Sequence, residues 1–135
     1  MTTVRFENGR DTIRNWDDVF EALSAEPRRR LVVSLMDAPR DETIPLPERA
    51  INPDAPADPD VLRTELFHRH LPLLSDLGFV EWEPDPFVAS RGPRFEEVAA
   101  VFEALHSHAA ELPESLVLGC RRLERERERE MSVSD

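Results

Sequence analysis

Leu62, Leu66, Phe67, Leu71 and Leu74 fall on one face of a helical period that contains a proline, Pro72, and stops at Gly78. Beyond Gly78 the period becomes two. Val80 and Trp82 share one face of a strand over Phe79 to Glu83, Pro84-Asp85-Pro86 reads as a turn, and Phe87 to Ser90 supplies a second strand. The chain must therefore close a buried helix on a glycine and enter a hairpin at once. Asp58 followed by Pro59 gives that helix a side-chain cap and a first-turn proline. Pro72 has no N–H to offer the His68 carbonyl, so the helix is expected to bend or divide near it.

Two helices precede this unit. Asn15 stands before Trp16, Val19, Phe20 and Leu23, with Asp17 and Asp18 in the first turn, the pattern of a capped amphipathic helix. Residues 1–14 have no periodicity and read as a loosely ordered arm on which Phe6 and Ile13 could dock. Pro27 starts a second helix with Leu31, Val32, Leu35 and Met36 on its apolar face, ending near Asp37-Ala38-Pro39. Its first turn carries Arg28-Arg29-Arg30, which reads either as a phosphate contact or as a solvated face paired with Glu21, Glu26 or the hairpin. Residues 38–60 hold six of the twelve prolines and read as loop, with one short helix over Leu46 to Ile51.

Downstream of the hairpin, Phe95, Val98, Phe102, Leu105, Ala109 and Leu112 repeat at alternating spacings of three and four. Such a seam on one helix over 95–112 suits pairing within the domain or across a homodimer. Pro113 ends it. Leu116, Val117, Cys120 and Leu123 form another apolar stripe before RRLERERERE, and 113–135 reads as a charged, solvent-exposed and fraying extension. Cys120, the one cysteine, cannot form an internal disulfide and reads as a small core or interface residue.

The fold class expected is mainly α with a short β-hairpin: a domain over 15–94, then the 95–112 helix and the extension. The stretches LSAEPRRRLVVSLMD (Leu23 to Asp37) and FHRHLPLLSDLGFVEWE (Phe67 to Glu83) resemble the helix pair and the recognition-helix ending of winged helix-turn-helix repressors of the ArsR-like type. More narrowly, His-Leu-Pro-x-Leu followed by an acidic wing is similar to winged-helix domains of halophilic archaea. The resemblance covers about Trp16 to Leu112. It implies that Arg63, Thr64, His68 and Arg69 face a DNA major groove, that Phe67, Leu71 and Leu74 belong to the core, and that His70 is partly buried and hydrogen-bonded. The Ile51 to Asp58 connection is longer and richer in proline than the ~3 to 4 residues of an ordinary helix-turn-helix.

Charge then decides what kind of DNA binding is open to the chain. It has 28 Asp plus Glu against 17 basic residues, a formal charge of −11, and every basic residue is Arg. Lysine-free acidity of this kind looks like the composition of a GC-rich halophilic archaeon, whose cytoplasm is multimolar in salt. At molar salt the Debye length is about 3 Å, which removes long-range repulsion and attraction together. Binding must then rest on short contacts to base edges, aided by dimerisation. Arg91 and Arg94 flank the hairpin's end as candidate phosphate contacts. The expected function is a sequence-specific, homodimeric transcriptional regulator acting on double-stranded DNA in the cytoplasm, without a cofactor. The alternative is a winged-helix protein-interaction module without DNA binding.

Other chemistries find little support. His106, His108 and Glu111 suggest a metal site, but without a second ligand cluster they read as surface side chains. There is no Gly-rich phosphate loop, Gly-x-Ser-x-Gly or His-Glu-x-x-His, so no enzyme is expected. No apolar run approaches the ~18 to 20 residues that span a bilayer.

Overall fold

A computed structural model describes residues 2–55, 58–117 and 121–133, with side chains for 9–55, 58–117 and 122–131. Cys120, and the side chain of Phe6, lie outside the described residues. The elements are α1 (Thr2–Ala22), α2 (Glu26–Asp37), β1 (Ile44–Pro45), a 3-10 turn (Glu48–Ala50), α3 (Pro59–Glu65), a π-helical turn (Leu66–His70) and α4 (Leu71–Asp76). They continue as β2 (Val80–Pro84), β3 (Phe87–Arg91), α5 (Phe95–His106), a second 3-10 turn (Ala109–Glu111), α6 (Glu114–Val117) and α7 (Arg121–Val133). The fold is mainly helical with a three-stranded antiparallel sheet of order β1-β3-β2.

The core gathers one face from each major element: Val19 and Ala22 of α1, Leu31, Val32 and Leu35 of α2, and Leu62, Leu66, Leu71 and Leu74 of the divided helix. Phe79, Val80 and Ala89 of the hairpin and Phe95 and Val98 of α5 close it. Burial of this apolar surface is the main force holding the elements together.

Pro72 explains the division. The Leu71 N–H reaches back five residues to the Leu66 carbonyl, so the chain makes one wide π turn where Pro72 has no N–H to continue an α ladder. The inserted residue shifts the helix phase, and His70 and Leu71 both turn inward. Phe67 is displaced from the expected core stripe. It is 37% exposed and packs edge-on against Trp82, ring centroids 5.2 Å apart, joining the helix to the hairpin.

Gly78 closes α4 at φ +84°. Its N–H donates to Ser75 O and the Phe79 N–H to Leu74 O, a Schellman ending that satisfies the last carbonyls and aims the chain into β2. Asp58 accepts from the Asp60 N–H at 2.9 Å, capping α3. In the hairpin Val80 faces Arg91 and Trp82 faces Ala89. The proline-rich connection contributes a strand that the sequence did not suggest: Ile44 pairs with Ala89 and Pro45 with Val88, and Leu46 N donates to Phe87 O.

Three expectations about the helices are corrected. Helix α1 runs from Thr2, so the stretch before Asn15 is not an irregular arm, and Ile13 lies exposed instead of docked. Asn15 sits inside the helix and accepts from Arg94 Nη2 at 2.9 Å. The 95–112 seam is not one helix: α5 ends at His106, because the Glu130 carboxylate takes the N–H groups of Ala109 and Ala110, both at 3.1 Å. Phe95, Val98 and Ala109 are buried within this chain and cannot face a partner. Nor does α7 stand free. Arg122 bonds Asp37 of α2 at 2.9 Å and Glu103 of α5 at 2.8 Å, so the charged extension is docked on the body.

Candidate nucleic-acid interface

The divided helix buries one side and offers the other to solvent. Arg63, Thr64, Phe67, His68 and Arg69 are all exposed there, while Leu62, Leu66 and His70 point inward. Arg63 lies over the Phe87 ring at 4.7 Å and the Thr64 hydroxyl donates to Asp60 O at 3.0 Å. His68 stands edge-on to Phe67, centroids 5.0 Å apart. The face is thus a short row of donors beside an aromatic cluster of Phe67, Trp82 and Phe87. Its surroundings are acidic. Asp58, Asp60, Glu65, Glu81, Glu83 and Asp85 are exposed around it.

The two hairpin arginines are committed elsewhere, which corrects the expectation that they reach phosphates. Arg91 Nη2 donates to Leu35 O at 2.9 Å and Ala38 O at 3.1 Å, and Nε to Leu35 O at 3.2 Å, satisfying the carbonyl end of α2. Arg94 bonds both Glu97 carboxylate oxygens at 3.0 Å, Asp18 at 3.2 Å and Leu77 O at 2.9 Å. The hydrogen bonds that Arg94 donates to Glu97 and Asp18 raise its pKa, and the bond to Glu97 lowers that of Glu97. A guanidinium so held would have to surrender several charge-assisted bonds to reach DNA.

The arginine triplet behaves in the same way. Arg28 is 4% exposed. Its guanidinium donates to Ala22 O at 3.2 Å, Glu21 O at 3.1 Å, Ser24 Oγ at 2.7 Å and His70 Nδ1 at 2.8 Å. Arg29 donates to Leu23 O at 2.8 Å, and Arg30 stands 3.9 Å from Glu26. Cations in the first turn of α2 oppose that helix's dipole but serve the carbonyl end of α1, which the tight Leu23-Ser24-Ala25 turn brings beside them.

His70 supports the exposed face from behind. Accepting from Arg28 at Nδ1 fixes its proton on Nε2, which stands 4.0 Å from Glu65 Oε2. Burial, and then the Arg28 and Arg69 charges, push its pKa down, so the ring stays neutral. The expected hydrogen-bonding role holds, with burial more complete than the resemblance implied. Arg28 thereby ties α1 and α2 to the wide turn that presents His68 and Arg69.

Of the three C-terminal side chains expected on the surface, His108 and Glu111 lie exposed at 3.6 Å, whereas His106 is buried. Among the described residues no group of three His, Cys, Asp or Glu side chains could hold a metal ion, and no helix is long and apolar enough to cross a membrane. Of the remaining seam residues, Phe102 and Leu112 are half-buried and Leu105 is 45% exposed. The apolar pattern expected of α1 divides: Val19 is buried, whereas Trp16 and Phe20 are 48% and 61% exposed and make a row with Ile13 at 66%. Their spacing of three and four residues puts them on one side of the helix. No protein-family model, curated protein or solved structure matches the chain.

Proposed function

We propose that the chain is a winged helix-turn-helix regulator that binds double-stranded DNA in a cytoplasm of molar salt, reading bases with the exposed face of the divided helix. The observation that carries this reading is the row Arg63, Thr64, His68 and Arg69, exposed on a helix whose opposite face is core and whose end passes directly into the β2-β3 hairpin. With Arg91 and Arg94 withdrawn, few cations remain for phosphate, so affinity comes from base-edge hydrogen bonds and from coupling two half-sites. The partner copy docks on the α1 row of Ile13, Trp16 and Phe20.

The test is fluorescence anisotropy with genomic fragments in 2 M KCl. Arg69→Ala and His68→Ala should each weaken selective binding about 10-fold or more, as expected for loss of a base contact, while leaving the melting temperature unchanged. Selective binding insensitive to both substitutions would refute the assigned face. The exposed acidic hairpin tip, Glu81, Glu83 and Asp85, favours the second reading, a protein-interaction module. No selective binding at any salt, together with a stable protein complex, would establish it.

A further inference from the structure

Between α2, the end of α5, α6 and α7 lies a cavity of about 610 Å³, within the size range of small-molecule sites. Its walls are mostly apolar, with Phe102, Leu105 and Leu116 prominent, and Arg29, Arg30 and Arg122 also line it together with Glu26. His106 also lines it and is 1% exposed. The His106 Nδ1–H donates to Phe102 O at 2.7 Å, which leaves Nε2 as an acceptor. That Nε2 is buried with no hydrogen-bond partner among the described residues, and so is the Arg122 Nε–H. A buried donor and a buried acceptor without partners cost stability unless something meets them. The charge around them is also uneven. Arg30 has Glu26, and Arg122 has Asp37 and Glu103, but Arg29 has no carboxylate within ion-pair distance among the described residues.

We infer that this cavity is a binding site for a small organic acid: an aromatic or branched carboxylate carrying one hydroxyl. The apolar walls take the hydrocarbon body and Arg29 the carboxylate. The hydroxyl donates to His106 Nε2, displacing the side chain that otherwise covers it. Burial lowers the His106 pKa, which keeps the ring neutral and Nε2 available as an acceptor. The site stands apart from the proposed DNA-reading face and does not depend on it.

The full chain in 2 M KCl is titrated calorimetrically with 3-hydroxy-2-naphthoate, and with 2-naphthoate and naphthalene as controls. Saturable binding is expected for the hydroxy acid, at least 10-fold weaker for 2-naphthoate and absent for naphthalene. His106→Phe keeps the ring and removes the acceptor. It should abolish the preference for the hydroxyl while melting at or above the wild-type temperature, and Arg29→Gln should weaken both acids. Circular dichroism checks that each variant is folded. Equal affinity for all three compounds, or a preference untouched by His106→Phe, overturns the site. So does the absence of saturable heat in a dimer that Leu116→Glu makes monomeric, which would assign the groove to a second copy.

Discussion

Arg28 is the most informative residue to remove. In Arg28→Met the aliphatic stem is replaced and the guanidinium is lost, leaving the buried Ala22 O and His70 Nδ1 without their donor. Each orphaned acceptor costs about 1–3 kcal/mol. Relief from burying a cation offsets part of this, so a loss of about 3–4 kcal/mol is expected. For a chain of 135 residues that is a melting temperature lower by about 10–15 °C. Arg30→Met is the control, since Arg30 meets Glu26 only at 3.9 Å on a half-open surface and should cost less than about 1 kcal/mol. Scanning calorimetry in 2 M KCl separates the two, because buried bonds are little screened. A second test is the cycle with His70→Phe: removing both partners should cost less than the sum by about 1 kcal/mol or more. An Arg28→Met protein that melts with Arg30→Met, or an additive cycle, refutes the view that this guanidinium joins α1 to the wide turn.

Three further outcomes follow from the same geometry. His70 and His106 both have pKa values depressed below 6.5, so the unfolded chain binds protons more readily. Their contribution is complete above pH 6.5 and is lost as pH falls through the folded values, and His70→Phe should flatten that part of a melting-temperature profile. A Cβ on Gly92 would meet Gly78 O at 2.6 Å and Val80 N at 2.7 Å, both backbone. Gly92→Ala should therefore cost about 3 kcal/mol by urea unfolding, against about 1–2 for Gly78→Ala, where φ is +84° but the nearest atom is Arg94 Cδ at 3.2 Å. Phe20→Glu should lower the light-scattering mass of a dimer to that of a monomer, and an unchanged mass would remove α1 from the interface.

Local grammar was readable in this chain wherever a residue acts on its own neighbours. Asp58 caps the turn it begins, Pro27 opens α2, Gly78 ends α4, and Pro72 forces a wide turn within its own helix. What sequence pattern could not supply was any function set by a distant partner. Ile44–Pro45 is a strand only because β3 lies beside it, and two residues carry no period. The seam from Phe95 continued smoothly past His106, yet Glu130, some twenty residues on, takes the N–H groups that would extend the helix. The candidate face divides along the same line. Arg63, Thr64, His68 and Arg69 were implied by the resemblance of a single contiguous stretch, whereas Arg91 reaches Leu35 from 56 residues away.

That division changes what the acidity means. Counting charges sets 17 arginines against 28 carboxylates, but Arg28, Arg29, Arg91 and Arg94 each donate to carbonyls at the ends of α1, α2 and α4. Guanidinium suits this task better than an ammonium group because its planar fork meets several oxygens at once, which gives a physical use for arginine at each of these helix ends. Bonds of about 3 Å survive molar salt, while the exposed carboxylates around the hairpin and α3 interact mainly over distances that such salt screens. The fold is therefore held by contacts indifferent to ionic strength and is opposed by repulsion that only low salt reveals. Desalting should lower the stability of the wild type and of Arg28→Met in parallel, with the gap between them preserved.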